Sequence, residues 1–442
     1  MRTAADVTTR ARALLARIAE LDPQLNCYVA LDEAAVLREA ARLDALPPDA
    51  RGPLHGRTLA VKDLIDVAGL PTRAGSGFFR RDPERDAPVV AALRAAGALV
   101  VGKVNTHEFA WGVTTENPHF GRTGNPWDPA RTPGGSSGGS GAAVAAGLAD
   151  IALGTDTVGS IRIPSALNGI SGLRPATGAL PVDDIVPLAL GLDTVGPFAR
   201  DLATVQVVYG VLASALPSAA AAAPNAVTSS RPGRVCRLRG AGWDGVEAPV
   251  SEALDAVASA LRADGIAVDD VTWWDDALAG ATAVLQQRAA ARFHAPMFDA
   301  NRDRYGEDVR ARIAQALGVD EAAEHDARAV VARAHAACSA ACAGYGVALA
   351  PIVGSEAPLS PVGPAFRAAT LPLATPAAAF GLPAAAVPIG FGPAGLPLGM
   401  QIIALDGAAA SAFAVGIRYQ RLTGWHRRRP ALAASGDHDD DR

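Results

Sequence analysis

Three residues of this 442-residue chain have the types and surroundings to make and break an acyl bond: Lys62 in LAVKDLID, Ser136 in PGGSSGGSG and Ser160 in GTDTVGSIRIP. A serine hydroxyl is inert near neutral pH until a base takes its proton, and glycines let backbone N–H groups close on a reacting carbonyl oxygen. Together they read as acyl transfer. A glycine-rich run alone also serves phosphate loops, nucleophile elbows and flexible linkers. The phosphate-loop pattern fails because Ser140, not lysine, follows Gly139. Gly134, Ser136 and Gly138 do satisfy the elbow pattern, but the preceding NPWDPARTP is loop chemistry rather than a strand.

Ser160 has a different setting. The apolar run DIAL precedes its cluster, so it lies in the turn leaving a strand, where successive N–H groups can converge on an oxyanion. Taken alone, Ser160 is more simply a helix N-cap; a second serine loop and a lysine shift the balance.

The elements that must hold these residues show in the hydrophobic pattern. Val7, Ala11, Leu14, Leu15, Ile18 and Leu21 recur at helical spacing, and a second helix is expected over 32–46. Short apolar runs then alternate with helical stretches: TLAVK, a helix over 87–97, ALVVGK, a helix over 142–148, and DIALG. Buried strands alternating with helices predict a mostly parallel or mixed sheet covered on both faces. The rear half is expected to hold a strand and a helix over 250–264, a charged helical segment over 289–345, and strands over 347–352 and 384–389. The uncharged stretch 368–405 carries Pro372, Pro376, Pro383, Pro388, Pro393 and Pro397. That many breaks exclude a membrane span, and buried strands and turns are the expectation.

Composition narrows the class. Half the residues are hydrophobic, the net charge is −5 and no basic stripe is present, so no direct nucleic-acid contact is expected. Cys27, Cys236, Cys338 and Cys342 are too few and too scattered for a disulfide scaffold, and the charged N-terminus lacks a signal-peptide core, so a cytoplasmic protein without a membrane anchor is expected. His335, Cys338 and Cys342 share a helical face but make an incomplete ligand set. No metal and no cofactor are expected. The eight histidines, His107 among them, read as structural or exposed.

From about Val29 to Pro430, the segments LAVKDLIDVAG, GKVNTHEFAWG, NPWDPARTPGGSSGGSGAAVAAG, GTDTVGSIRIPSALNGISGLRP, LDTVGPFARD and GLPAAAVPIG resemble, in order, the amidase signature family. The resemblance implies a three-layer α/β/α sandwich around a large mixed β-sheet. It also implies a Ser, cis-Ser, Lys triad, with Lys62 as base, Ser136 after a cis bond from Gly135 as the bridge, and Ser160 as nucleophile. Thr157, Val158 and Gly159, with the Ser160 amide, are the implied oxyanion hole, although Val158 stands where glycine is usual. Ser137 would support the network, and Asp156 and Arg162 would brace the turn, unless they form only a surface ion pair.

A single amidase domain over 1–430 is expected, comprising an N-terminal helical segment (1–50), a signature core (51–216), a connecting segment (217–232) and a rear half completing the sheet and pocket (233–430), with a disordered tail over 431–442. The expected activity is hydrolysis of a small linear amide to a carboxylate and ammonia or amine through an acyl-enzyme on Ser160. The segment after the nucleophile, GLRPATGALPVDDIVPLALGLDTVGPF, departs from that of glutamyl-tRNA amidotransferase subunits, which favours a stand-alone amidase. The glutaminase subunit of such an amidotransferase is the alternative, and an amidohydrolase of biuret- or allophanate-like urea derivatives is a further one. A small-molecule amide is the expected partner, with homodimerisation open. Arg367 and the loop 181–192 are candidate pocket walls.

Overall fold

The computed structural model describes residues 6–216, 234–243 and 245–434. Its strands are β1 (Tyr28–Leu31), β2 (Thr58–Lys62), β3 (Leu99–Val104), β4 (Ile151–Asp156), β5 (Ser171–Arg174) and β6 (Thr194–Ala199) in the front half. The rear half adds β7 (Val235–Arg239), β8 (Val268–Thr272), β9 (Val347–Pro351), β10 (Ala384–Phe391) and β11 (Pro397–Ala404). All join one mixed sheet in the order β1-β3-β2-β4-β6-β5-β10-β11-β9-β7-β8. The pairs β2–β3, β2–β4, β7–β8 and β7–β9 are parallel and the rest antiparallel. β2, β3 and β4 are buried along their whole length, which is why they read as unbroken apolar runs rather than as alternating patterns.

The helices are α1 (Val7–Leu25), α2 (Glu33–Asp44), α3 (Pro88–Ala95), α4 (Gly138–Ala145), α5 (Arg162–Asn168) and α6 (Leu202–Ala215). They continue with α7 (Ala248–Ala263), α8 (Asp276–Asn301), α9 (Glu307–Ala316), α10 (Glu321–Ala341), α11 (Pro364–Ala379), α12 (Ala409–Thr423) and α13 (Ala431–Ala434). Leucine and valine side chains of α3, α6 and α7, with Phe413 of α12, pack one face of the sheet in the largest core cluster. The alanine-rich α4 packs the other face with Ile161 and Phe198, and α5 contacts β5, β10 and β11. The α/β/α sandwich is therefore the observed architecture.

Three expectations need correction or limits. The stretch 368–405 is not strands and turns throughout, because α11 runs to Ala379 with Pro372 and Pro376 inside it. Those prolines remove donors, and side chains from elsewhere attend the helix: Gln401 Nε2 donates to Leu373 O at 2.7 Å and Arg162 Nη1 to Ala374 O at 3.0 Å. The expected tail contains the short helix α13, whose Ala433 carbonyl accepts from Arg17 Nη2 at 2.7 Å. The remainder of that tail and the connecting segment 217–232 lie outside the described residues. No helix among the described residues is long and apolar enough to cross a membrane.

Candidate active site

Lys62 ends β2, and the register that sets Val61 beside Leu153 carries its side chain along β4. Its amine is wholly buried, with Nζ 2.7 Å from Ser136 Oγ and 2.8 Å from Thr155 Oγ1. Both neighbours are hydroxyls, so no anion directly offsets the loss of hydration. Burial consequently pulls the amine down to about 7, against weaker opposing pulls from Asp193 and Asp156.

The loop carrying Ser136 is held by its backbone. The Gly135–Ser136 bond is cis, and the Ser136 carbonyl accepts from His107 N at 3.1 Å, Thr106 Oγ1 at 3.0 Å and Thr115 Oγ1 at 3.2 Å. Gly135 has to be glycine, because a Cβ there would stand 2.6 Å from Thr114 N. Ser137 Oγ donates to Thr155 O at 3.2 Å, and Ser137 N donates to Ser160 O at 3.3 Å, which ties the two serine loops together. Ser160 is nearly buried in the turn between β4 and α5.

That turn is built around Asp156. Its Oδ1 accepts from Gly159 N at 2.7 Å, and its Oδ2 accepts from Ile161 N at 3.2 Å and Arg162 Nε at 3.0 Å. Arg174 Nη1 lies 3.2 Å from Oδ1. Burial alone would raise this carboxyl, but the Arg162 and Arg174 guanidiniums and the Gly159 amide hold it well below the usual carboxylate range. Asp156 and both arginines are wholly buried, so the pair is not a surface ion pair.

The amides expected to form an oxyanion hole differ in what they bond. The Gly159 N–H is committed to Asp156, leaving the amides of Thr157, Val158 and Ser160, which donate to no other described residue. The Val158 side chain packs among Val113, Ile163 and Ala374.

Sequence reasoning passed over Thr155, Arg174, Asp193 and Gln401. Asp193 accepts from Thr157 Oγ1 at 2.5 Å and from the Leu188 and Ala189 amides at 2.9 and 2.8 Å, fixing the loop beside the turn. A cavity of about 10 Å³ lies there, lined by Thr155, Asp193 and residues of the expected wall 181–192. Gln401 Oε1 accepts from Arg162 Nη1 at 2.5 Å. His107, through Nε2, meets Asp308 Oδ2 at 2.9 Å rather than a serine. His335 stacks on the Phe380 ring at 4.7 Å.

A single sheet, two serine loops and a buried lysine at a strand end define a serine-dependent amidohydrolase. The family model described as Amidase matches residues 10–410, and the chain belongs to the amidase signature family, whose members act on carbon–nitrogen bonds other than peptide bonds. The chain is 36% identical to a glutamyl-tRNA(Gln) amidotransferase subunit of Chloroflexus aurantiacus, over 97% of its own length and 95% of that protein. Among solved structures, an amidase superposes with a TM-score of 0.86 at 30% identity, covering 94% of this chain and 96% of that one. The native peptide amidase of Stenotrophomonas maltophilia gives 0.79 at 29% identity, covering 96% and 95%.

Proposed function

We propose that the chain releases ammonia from a primary carboxamide, with Lys62 as base, Ser136 as proton bridge and Ser160 as nucleophile. The observation that carries this reading is the buried amine held down to about 7 and set 2.7 Å from the Ser136 hydroxyl. Neutral Lys62 accepts the Ser136 proton while Ser136 accepts that of Ser160, whose oxygen attacks the amide carbon. The Thr157, Val158 and Ser160 amides face the negative oxygen of the tetrahedral intermediate, where one such donor is worth about 3–4 kcal/mol. The proton returns by the same route to the departing nitrogen. Water then attacks the acyl-enzyme in the same manner and frees the carboxylate.

Glutamine is the amide that the relatives favour. Identity of 36% along 97% of the chain supports the glutaminase component of an amidotransferase better than a stand-alone amidase. Ammonia release should be measured with glutamine, butyramide and phenylacetamide as separate substrates. The glutaminase reading requires the highest kcat/KM with glutamine; preference for the aryl amide returns the assignment to a stand-alone amidase.

A further inference from the structure

Arg367 is the fourth residue of α11, the helix that presses on the Ser160 turn. Ala374 of that helix is so close to Gly159 that a Cβ on the glycine would approach the Ala374 Cβ to 2.9 Å, and the Ala374 carbonyl accepts from Arg162. Arg367 is seven residues earlier, two helical turns back on the same face and about 10 Å along the axis. Leu371, between them on that face, packs in the apolar cluster that holds Val158.

The other serine loop is linked to the charged groups that act on Arg367. His107 donates its backbone N–H to the Ser136 carbonyl, and its ring bonds Asp308 at 2.9 Å. Asp308 also pairs with Arg312 at 3.2 Å, and Arg312 donates to the Trp111 carbonyl. Arg312 and Asp308 are the charged groups that act on Arg367. Asp308 is thus already shared by a histidine and an arginine, while the half-buried Arg367 makes no hydrogen bond or ion pair with any described residue. Burial, with Arg312 adding to it, lowers Arg367 to about 10. A desolvated guanidinium with no partner is a costly arrangement that an anion relieves, and its planar fork suits a carboxylate.

We infer that Arg367 determines specificity by taking a carboxylate borne by the substrate, so that the substrate class is the primary amide of a carbon chain ending in a carboxylate. This inference rests on the acyl-transfer reading above. Glutamine belongs to the class, as do the monoamides of succinate, glutarate and adipate. Among the described residues, the carboxylate that acts on Arg367 is Asp308, which is already doubly paired, so the inferred recognition calls for no amino group on the substrate.

The test compares each monoamide, and glutamine, with the neutral amide of equal chain length, using the full chain. The Arg367→Ala change should lower the kcat/KM ratio of carboxylated to neutral amide by about 10- to 100-fold, mainly through KM. Arg367→Lys should restore part of it. In a Ser160→Ala background, calorimetric binding of glutarate monoamide should disappear on adding Arg367→Ala. A ratio unaffected by Arg367→Ala overturns the inference, and labelling of Ser160 by a fluorophosphonate in the same preparation then leaves the acyl-transfer reading standing. Absence of both hydrolysis and labelling overturns both. If glutamine and glutarate monoamide lose alike, the shared carboxylate is the recognised group; a loss confined to glutamine means that the carboxylate alone does not engage Arg367 and overturns the inference.

Discussion

Lys62 and Lys103 sit on neighbouring strands, both wholly buried, and differ in what faces the amine. Lys103 has Asp63 at 3.2 Å, an anion that favours its charged form, whereas Lys62 has only the hydroxyls of Ser136 and Thr155. Replacing Lys62 by alanine should cut kcat by roughly 10²–10⁴-fold, the usual scale for a lost general base, in a steady-state ammonia assay. Activity in the native chain should rise with pH through about 7 as the amine loses its proton. Stability carries the same signature. The folded value lies below the unfolded one, so the unfolded chain binds more protons between about pH 7 and about pH 10, and stability should climb across that window. Lys62→Met should flatten that climb in thermal melts recorded against pH. Asp156→Ala should strand the buried Arg162 and Arg174 without their anion and cost about 3–5 kcal/mol in urea unfolding. Lys62, Ser136 and Ser160 were legible because each stands in a segment of unusual composition. Arg174 and Gln401 were not, since their meaning lies in contacts across 18 and 239 residues of chain.

The turn between β4 and α5 and the helix α11 are one mechanical unit. Gly159 has φ of +104°, and an added Cβ would stand 2.8 Å from Ile163 Cδ1 as well as against Ala374. Gly159→Ala should therefore displace the turn and lower kcat far more than KM, checked by comparing both constants for one amide. Gln401, reaching from β11 to Arg162 and to the carbonyls of Pro351 and Leu373, is the other fixture. The strands β2, β3 and β4 could be read directly because burial on both faces writes itself as continuous apolar residues. Helix α11 could not, because proline count normally signals the end of a helix. Here Thr375 Oγ1 donates to Leu371 O within the helix, and Gln401 and Arg162 bond the Leu373 and Ala374 carbonyls from β11 and α5, contacts that the helix sequence alone does not encode.

Across the molecule, the sheet order joins the chain halves only at one seam, where β5 meets β10. The outer helices are tied at one point by Arg17 of α1, which bonds the Ala146 carbonyl after α4 and the Ala433 carbonyl in α13. Arg17→Ala should lower global stability by about 2 kcal/mol in urea unfolding, with kcat of the folded enzyme retained, because the change loosens the periphery rather than the serine loops. The mixed sheet with helices on both faces was legible from the alternation of runs. The lateral position of β10 and β11 was not, since strand pairing between distant segments leaves no local mark on either.

A nascent chain emerging from the ribosome exposes Lys62, Ser136 and Ser160 well before it exposes α11 and Gln401, the contacts that complete the Arg162 bracket. The bracket around Arg162 is thus the last part of this region to be made, and it closes only when β11 slots in beside β10.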